Sequence, residues 1–254
     1  MSIKKIHNKL RVILGYKLRN ITANIVFRWI LNHKSQPVVV SQKSAIVFSP
    51  HQDDETLGCG GVIALKREQG VPVRVVFITD GCNGRPKWIQ PEEIVNVRKQ
   101  EAITALNILG VASTETLFLE QTDGALADLP NDKRQHLIEQ LAQLLQSFSP
   151  EEVYVPHRQD LHVDHEATYQ LVEAAIAKSG LEVELWQYPI WMFWQNPLSF
   201  QLDLHNLADV YRISITSVQN KKSQAIKTYN SQISGLTNGF LKRFFLPHEL
   251  FFKN

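Results

Sequence analysis

The sequence predicts an α/β fold: a mostly parallel sheet with helices on both faces, preceded by a basic helical arm. Three observations predict it. From residue 44 onward, short β-favouring runs alternate with segments of helical period. Two clusters of histidines and carboxylates, at 51–55 and 157–165, each directly follow such a run. That is where open α/β sheets hold their ligands. Finally, the first 52 residues carry nine Lys and Arg and no Asp or Glu.

The elements justify themselves in order. The arm is residues 1–43, where Ile6, Leu10, Ile13, Leu14, Leu18, Ile21, Ile25 and Val26 recur at helical spacing among the basic residues. Basic residues interrupt every apolar run, so neither a secretory signal nor a transmembrane span is expected. The arm either packs on the main domain or makes peripheral contact with anionic lipid. Residues 44–254 form the second unit. Ala45-Ile46-Val47-Phe48 reads as a buried strand and Val62 to Gln69 as a helix that Gly70 can cap.

Val73 to Thr79 is a second buried strand, and the aperiodic loop from Cys82 to Gln90 lies on the same sheet edge as the first cluster. Pro91-Glu92-Glu93 suits a helix start, and the helix runs to Gly110. A strand over Thr116–Leu119 and a helix with Leu137, Ile138, Leu141, Leu144 and Leu145 on its apolar face precede the strand Glu152–Pro156. Further on, a helix from Glu166 to Lys178, strands near 181–188 and 209–215 and a basic helix from Val218 are expected. Trp191 and Trp194 belong to core or to a partner surface, or stack on a sugar or base. The last residues, from Phe240 to Lys253, share the aromatic and basic character of the arm. This order suits a Rossmann-like sheet.

Composition narrows the class. At 254 residues, with 44% hydrophobic and 20% charged residues, the chain is long enough for one large domain with a substantial core. A net charge of +2 and the lack of any recognisable motif argue against nucleic acid as a partner. Cys59 and Cys82 do not make a disulfide framework and suit a reduced cytoplasm, or the inner face of its membrane if the arm binds lipid. Cys59 sits among Gly58, Gly60 and Gly61, which points to close packing at a helix start rather than to metal ligation.

The clusters carry the chemistry. His51, Asp53, Asp54 and Glu55 lie within five residues, and such carboxylates would repel one another in a closed site unless a cation neutralised them. His51, Asp54 and His165 supply three ligands for a catalytic zinc with a fourth position left to water. Asp53, Asp164 and His162 are then left to move or orient protons.

Together the clusters resemble the PIG-L/LmbE-like family of metal-dependent N-deacetylases. His51-Gln52-Asp53-Asp54-Glu55 is similar to the family's His-Pro-Asp-Asp-Glu, and His162-Val163-Asp164-His165 to its later histidine–aspartate–histidine segment. Thr79-Asp80-Gly81, Arg98-Lys99-Gln100-Glu101-Ala102 and Leu109-Gly110-Val111 agree as well, so the resemblance covers roughly residues 44 to 232. Gln52 stands where the family has proline and is expected to alter the turn, not the chemistry. The arm lies outside the resemblance.

The resemblance implies that His51, Asp54 and His165 bind zinc, with iron or cobalt able to take the same ligands. It implies that Asp53 is the general base toward the attacking water. His162 stabilises the oxyanion or protonates the leaving amine, with Asp164 orienting and charging it. Arg98 and Asp123 contact substrate. The implied substrate is an N-acetylated amino sugar or glycoconjugate; a homo-oligomer is compatible with the sequence. Two rivals remain: a metal-dependent phosphoesterase, and a non-enzymatic, membrane-peripheral protein with a vestigial metal site. Intact Asp53 and His162 speak against the second. Dinucleotide binding at the glycine run is disfavoured, because Asp53, Asp54 and Glu55 would confront the pyrophosphate.

Overall fold

The computed structural model describes residues 3–194 and 209–253, with side chains from Leu14 onward. The proposed apolar positions Ile6, Leu10 and Ile13 therefore lie outside the described side chains. The central parallel strands are β2 (Ala45–Ser49), β3 (Val73–Thr79), β4 (Thr116–Gln121), β5 (Glu152–Pro156) and β6 (Glu184–Tyr188). Their spatial order is β6-β5-β2-β3-β4, so the chain reverses direction across the sheet between β2 and β5. Ala45 pairs with Glu152 and Val47 with Tyr154, which brings the carboxyl ends of β2 and β5 side by side. A switch point of this kind leaves a crevice beyond the strand ends. Both histidine clusters open into it.

Residue parity divides the core. Ala45 and Val47 face one side of the sheet, with α2 (Asp54–Glu68), α3 (Ile94–Leu109) and α6 (Gln219–Thr228). Ile46 and Phe48 face the other, with α4 (Asn131–Phe148) and α5 (Val163–Ser179). Strands covered on both faces must be apolar at every position, and all five residues of β2 are buried.

The glycine run in α2 is a packing device, as the sequence indicates. A Cβ on Gly58 would lie 2.3 Å from the Tyr188 ring, and one on Gly61 would lie 2.4 Å from Ile215. Cys59 between them is fully buried and free. An ion pair is set into the same helix. The Glu249 carboxylate accepts from the Gly61 and Val62 amides at 2.6 and 2.9 Å. Lys222 bonds Glu249 at 2.6 Å and donates to the Leu57 carbonyl at 2.8 Å. Both charged side chains are buried, and each satisfies groups that the other leaves open.

The remainder of the sheet differs from expectation. The carboxyl-terminal stretch is no second arm. After α7 (Asn230–Ile233) and α8 (Asn238–Leu241), residues His248–Lys253 form β8, which runs antiparallel between β6 and β7 (Val210–Ser214). Leu250, Phe251 and Phe252 are buried there because both faces of this strand are covered. The amino-terminal segment joins the sheet as well: β1 (Gln36–Val38) pairs in parallel with β7. It follows α1 (Ile3–His33), whose Ala23, Phe27 and Ile30 pack on Met192, Phe193, Val210, Leu250 and Phe252. Among the described residues, no helix is long and apolar enough to cross a membrane.

Candidate metal centre and active site

The first cluster lies in the turn from β2 into α2. Ser49 ties the turn together, donating to the His51 carbonyl at 2.7 Å and accepting from the Glu55 amide. Gln52 is buried and donates to the Thr79 carbonyl at 2.8 Å, so in place of a proline a side chain fastens the turn to β3. Asp53 adopts φ 144°, a region that residues with a Cβ rarely enter. Backbone strain of that kind persists where surrounding contacts hold it. Here the Asp53 amide donates to Glu55, and Arg98 lies 3.4 Å from the Asp53 carboxylate.

Asp54 is the meeting point of the two clusters. Its Oδ2 lies 3.1 Å from His51 Nδ1 and 3.1 Å from His165 Nε2. His165 is fully buried, and its Nδ1 lies 2.7 Å from Asp160 Oδ2. The contact of Nε2 with Asp54 is close but lacks hydrogen-bond geometry, so this buried nitrogen has no hydrogen-bond partner. An imidazole with one nitrogen facing a carboxylate and the opposite ring nitrogen fixed by a second carboxylate is the environment of a metal-binding histidine. The donor set of two imidazoles and one carboxylate fits a catalytic zinc, and equally iron or cobalt. Nitrogens of His51, His162 and His165 also lie within 4.8 Å of one another, as do ligand atoms of His51, Asp123 and Asp164.

Asp160, to which the sequence reading assigns no catalytic role, is fully buried and pairs with His165. Besides His165 it accepts from the backbone amides of Ile190, Trp191 and Met192, at 2.8 to 3.0 Å. The signal that could have found it is its place four residues beyond β5 and five before His165.

Two expected roles are placed differently. Asp164 does not turn its carboxylate to His162. It accepts from the Gly124 and Leu126 amides and lies 3.2 Å from His51 Nε2. At the second position of α5 its side chain reaches the loop after β4, and only its backbone amide touches His162, donating to Nδ1 at 3.3 Å. Asp123, expected to contact substrate, has both oxygens engaged: one lies 3.0 Å from His51 Nε2, and the other accepts from the Asn83 amide. Arg98 is buried and donates to the carbonyls of Gly81 and Gln52 while its Nε lacks a partner.

Electrostatics follow from this packing. Burial and the Asp54 charge push Asp53 up to about 8, against the pull of Arg98 and His51. Burial opposes ionisation of Asp54, but His165 and His51 outweigh it and hold that carboxyl far below the usual range. For His165, burial is likewise outweighed, by Asp54 and Asp160, which raise it to about 9. His162 is lowered by burial and by the other two imidazoles, so it stands neutral at physiological pH.

A cavity of about 250 Å³ opens over these groups. Its walls include His51, Asp53, Asp54, Arg98, Asp123 and His162. Asn83 and Gly84 line it from the loop after β3, as the aperiodic sequence there suggests, and Trp191, Gln232 and Leu236 complete it. Trp191 also packs on Phe240, with ring centroids 4.4 Å apart, so it serves both core and cavity.

The family model described as PIG-L, GlcNAc-PI de-N-acetylase, matches residues 46–176, which include both clusters and Asp160. The chain belongs to the PIG-L family. Over 148 residues it is 27% identical to a probable N-acetyl-α-D-glucosaminyl L-malate deacetylase 2 of Bacillus subtilis, covering 56% of this chain and 64% of that one. Over 141 residues it is 32% identical to a 4-oxalmesaconate hydratase of Pseudomonas putida, covering 53% and 52%. The chain thus spans less than two thirds of the length of these curated relatives. Among solved structures, the conserved protein TT1542 from Thermus thermophilus matches with a TM-score of 0.61 and 28% identity over 79% of this chain and 84% of that one.

Proposed function

We propose that the protein is a zinc-dependent N-deacetylase that hydrolyses the acetamido group of an amino sugar or its conjugate. The observation that carries the reading is the convergence of His51, Asp54 and His165 beside Asp53, with Asp54 Oδ2 3.1 Å from a nitrogen of each imidazole. These three would hold the ion. When bound, it would polarise the amide carbonyl, acidify water and draw Asp53 toward its ionised form.

The chain's own residues supply the rest. Asp53, at the cavity wall and set by Arg98, takes the proton of the attacking water. His162 spends Nδ1 on the Asp164 amide, which leaves Nε2 to carry a proton. A neutral imidazole donating from Nε2 stabilises the oxygen that gains charge as the amide carbonyl becomes tetrahedral, and Asp53 then returns the proton it took from water to the departing amine. Asp123 and Asp164 fix the far nitrogen of His51, and Asp160 fixes that of His165. The sugar itself is supported by the family description and by the named B. subtilis deacetylase.

The test is acetate and amine release from a panel of N-acetylamino sugars, free and nucleotide- or lipid-linked, before and after chelation. Chelator-sensitive release from any member supports the reading. No release, together with turnover of 4-oxalmesaconate, would transfer the site to the chemistry named for the P. putida relative.

A further inference from the structure

We infer that α1 docks the protein, side-on, against an anionic lipid surface. The helix has two apolar faces. One holds Ala23, Phe27 and Ile30 and is buried in the domain. The other holds Leu14, Leu18, Ile21, Ile25 and Trp29, which follow one another at steps of four, three, four and four residues. That spacing places them in one stripe. All five are exposed, Leu14 and Ile25 by about 60%. At 1.5 Å per residue the stripe is about 22 Å long.

Charge selects the occupant. Lys17 and Arg28 are exposed at the margin of the stripe, and α1 carries seven Lys and Arg and no Asp or Glu. Two copies of the stripe facing each other would bring like charges together, whereas anionic headgroups neutralise them. A helix with an apolar stripe beside Lys and Arg lies in the plane of such an interface. The helix is also firmly mounted. Asn24 donates to the Gly239 carbonyl at 2.7 Å and Thr237 donates to Asn20 at 3.0 Å, just beyond Leu236 in the cavity wall. Docking would therefore hold the cavity close to the lipid surface. The inference does not rest on the deacetylase reading.

The test is co-sedimentation of the full chain with vesicles of phosphatidylcholine alone and of phosphatidylcholine mixed equally with phosphatidylglycerol. The expected result is binding to the anionic vesicles at least about tenfold stronger than to the neutral ones, and weakened by salt. Ile21→Asp with Ile25→Asp, and separately Lys17→Glu with Arg28→Glu, should each remove at least about tenfold, with the circular dichroism spectrum unchanged. Equal sedimentation with both vesicles, or retained binding in either variant, would overturn the inference. So would a concentration-dependent dimer that Ile21→Asp abolishes in a protein that ignores vesicles, since the stripe would then belong to a second copy.

Discussion

Asp160 Oδ2 lies 2.7 Å from His165 Nδ1, and the same carboxylate gathers the amides of Ile190, Trp191 and Met192. The imidazole is thereby held with its other nitrogen toward Asp54. Asp160→Asn should keep the fold, since the amide oxygen can still accept, but it loses the charge that sets the histidine tautomer. The expected outcome is a fall of about 10- to 100-fold in metal affinity, measured by competition with a chromogenic chelator. Unchanged affinity would make Asp160 a loop anchor only.

The Lys222–Glu249 pair predicts a stability effect remote from the site. Glu249→Ala removes the acceptor of two amides in the middle of α2 and leaves the Lys222 ammonium buried without its counter-charge. A broken buried pair costs about 3–5 kcal/mol. Denaturant unfolding should show a loss of that size, and a loss below about 1 kcal/mol would mean that water reaches Lys222.

His157 predicts how stability changes with pH. Burial, helped by Arg158 and opposed by Asp160, lowers it to about 4, and its Nδ1 accepts from the Gln159 amide. The unfolded chain takes up this proton first, near pH 6.5, so the stabilising contribution is complete above that value. It is lost as pH falls from about 6.5 to 4, by about 3 kcal/mol in all. His157→Asn, whose oxygen can accept the same amide, should flatten the stability profile across that window. A parallel profile, merely shifted, would contradict the assignment.

Much of this was legible in the sequence because it is local. The run Ala45–Phe48 is apolar at every position because both sheet faces are covered, and the cluster after it is contiguous, so strand and site can be read together. The same holds for Glu152–Pro156 and His162–His165. What escaped depends on partners distant in the chain. Phe251 and Phe252 look like the arm in composition, and become a central antiparallel strand only through pairing with β6 and β7. Asp160 is one more loop carboxylate until the amides some thirty residues later fold onto it. Asp164 changes partner for the same reason: its sequence neighbour is His162, but its spatial neighbours are His51 and the Gly124 loop.

On the proposed reading, His51, Asp54 and His165 hold a metal that Asp53 uses in hydrolysis. The most direct test measures bound metal and acetate release in the same samples of the native chain, Asp53→Ala and His165→Ala. The native chain should hold one ion and show chelator-sensitive turnover. Asp53→Ala should keep the ion and lose at least about 10²-fold in rate, and His165→Ala should lose both. A His165→Ala protein that still binds one ion and turns over at the native rate would contradict this reading.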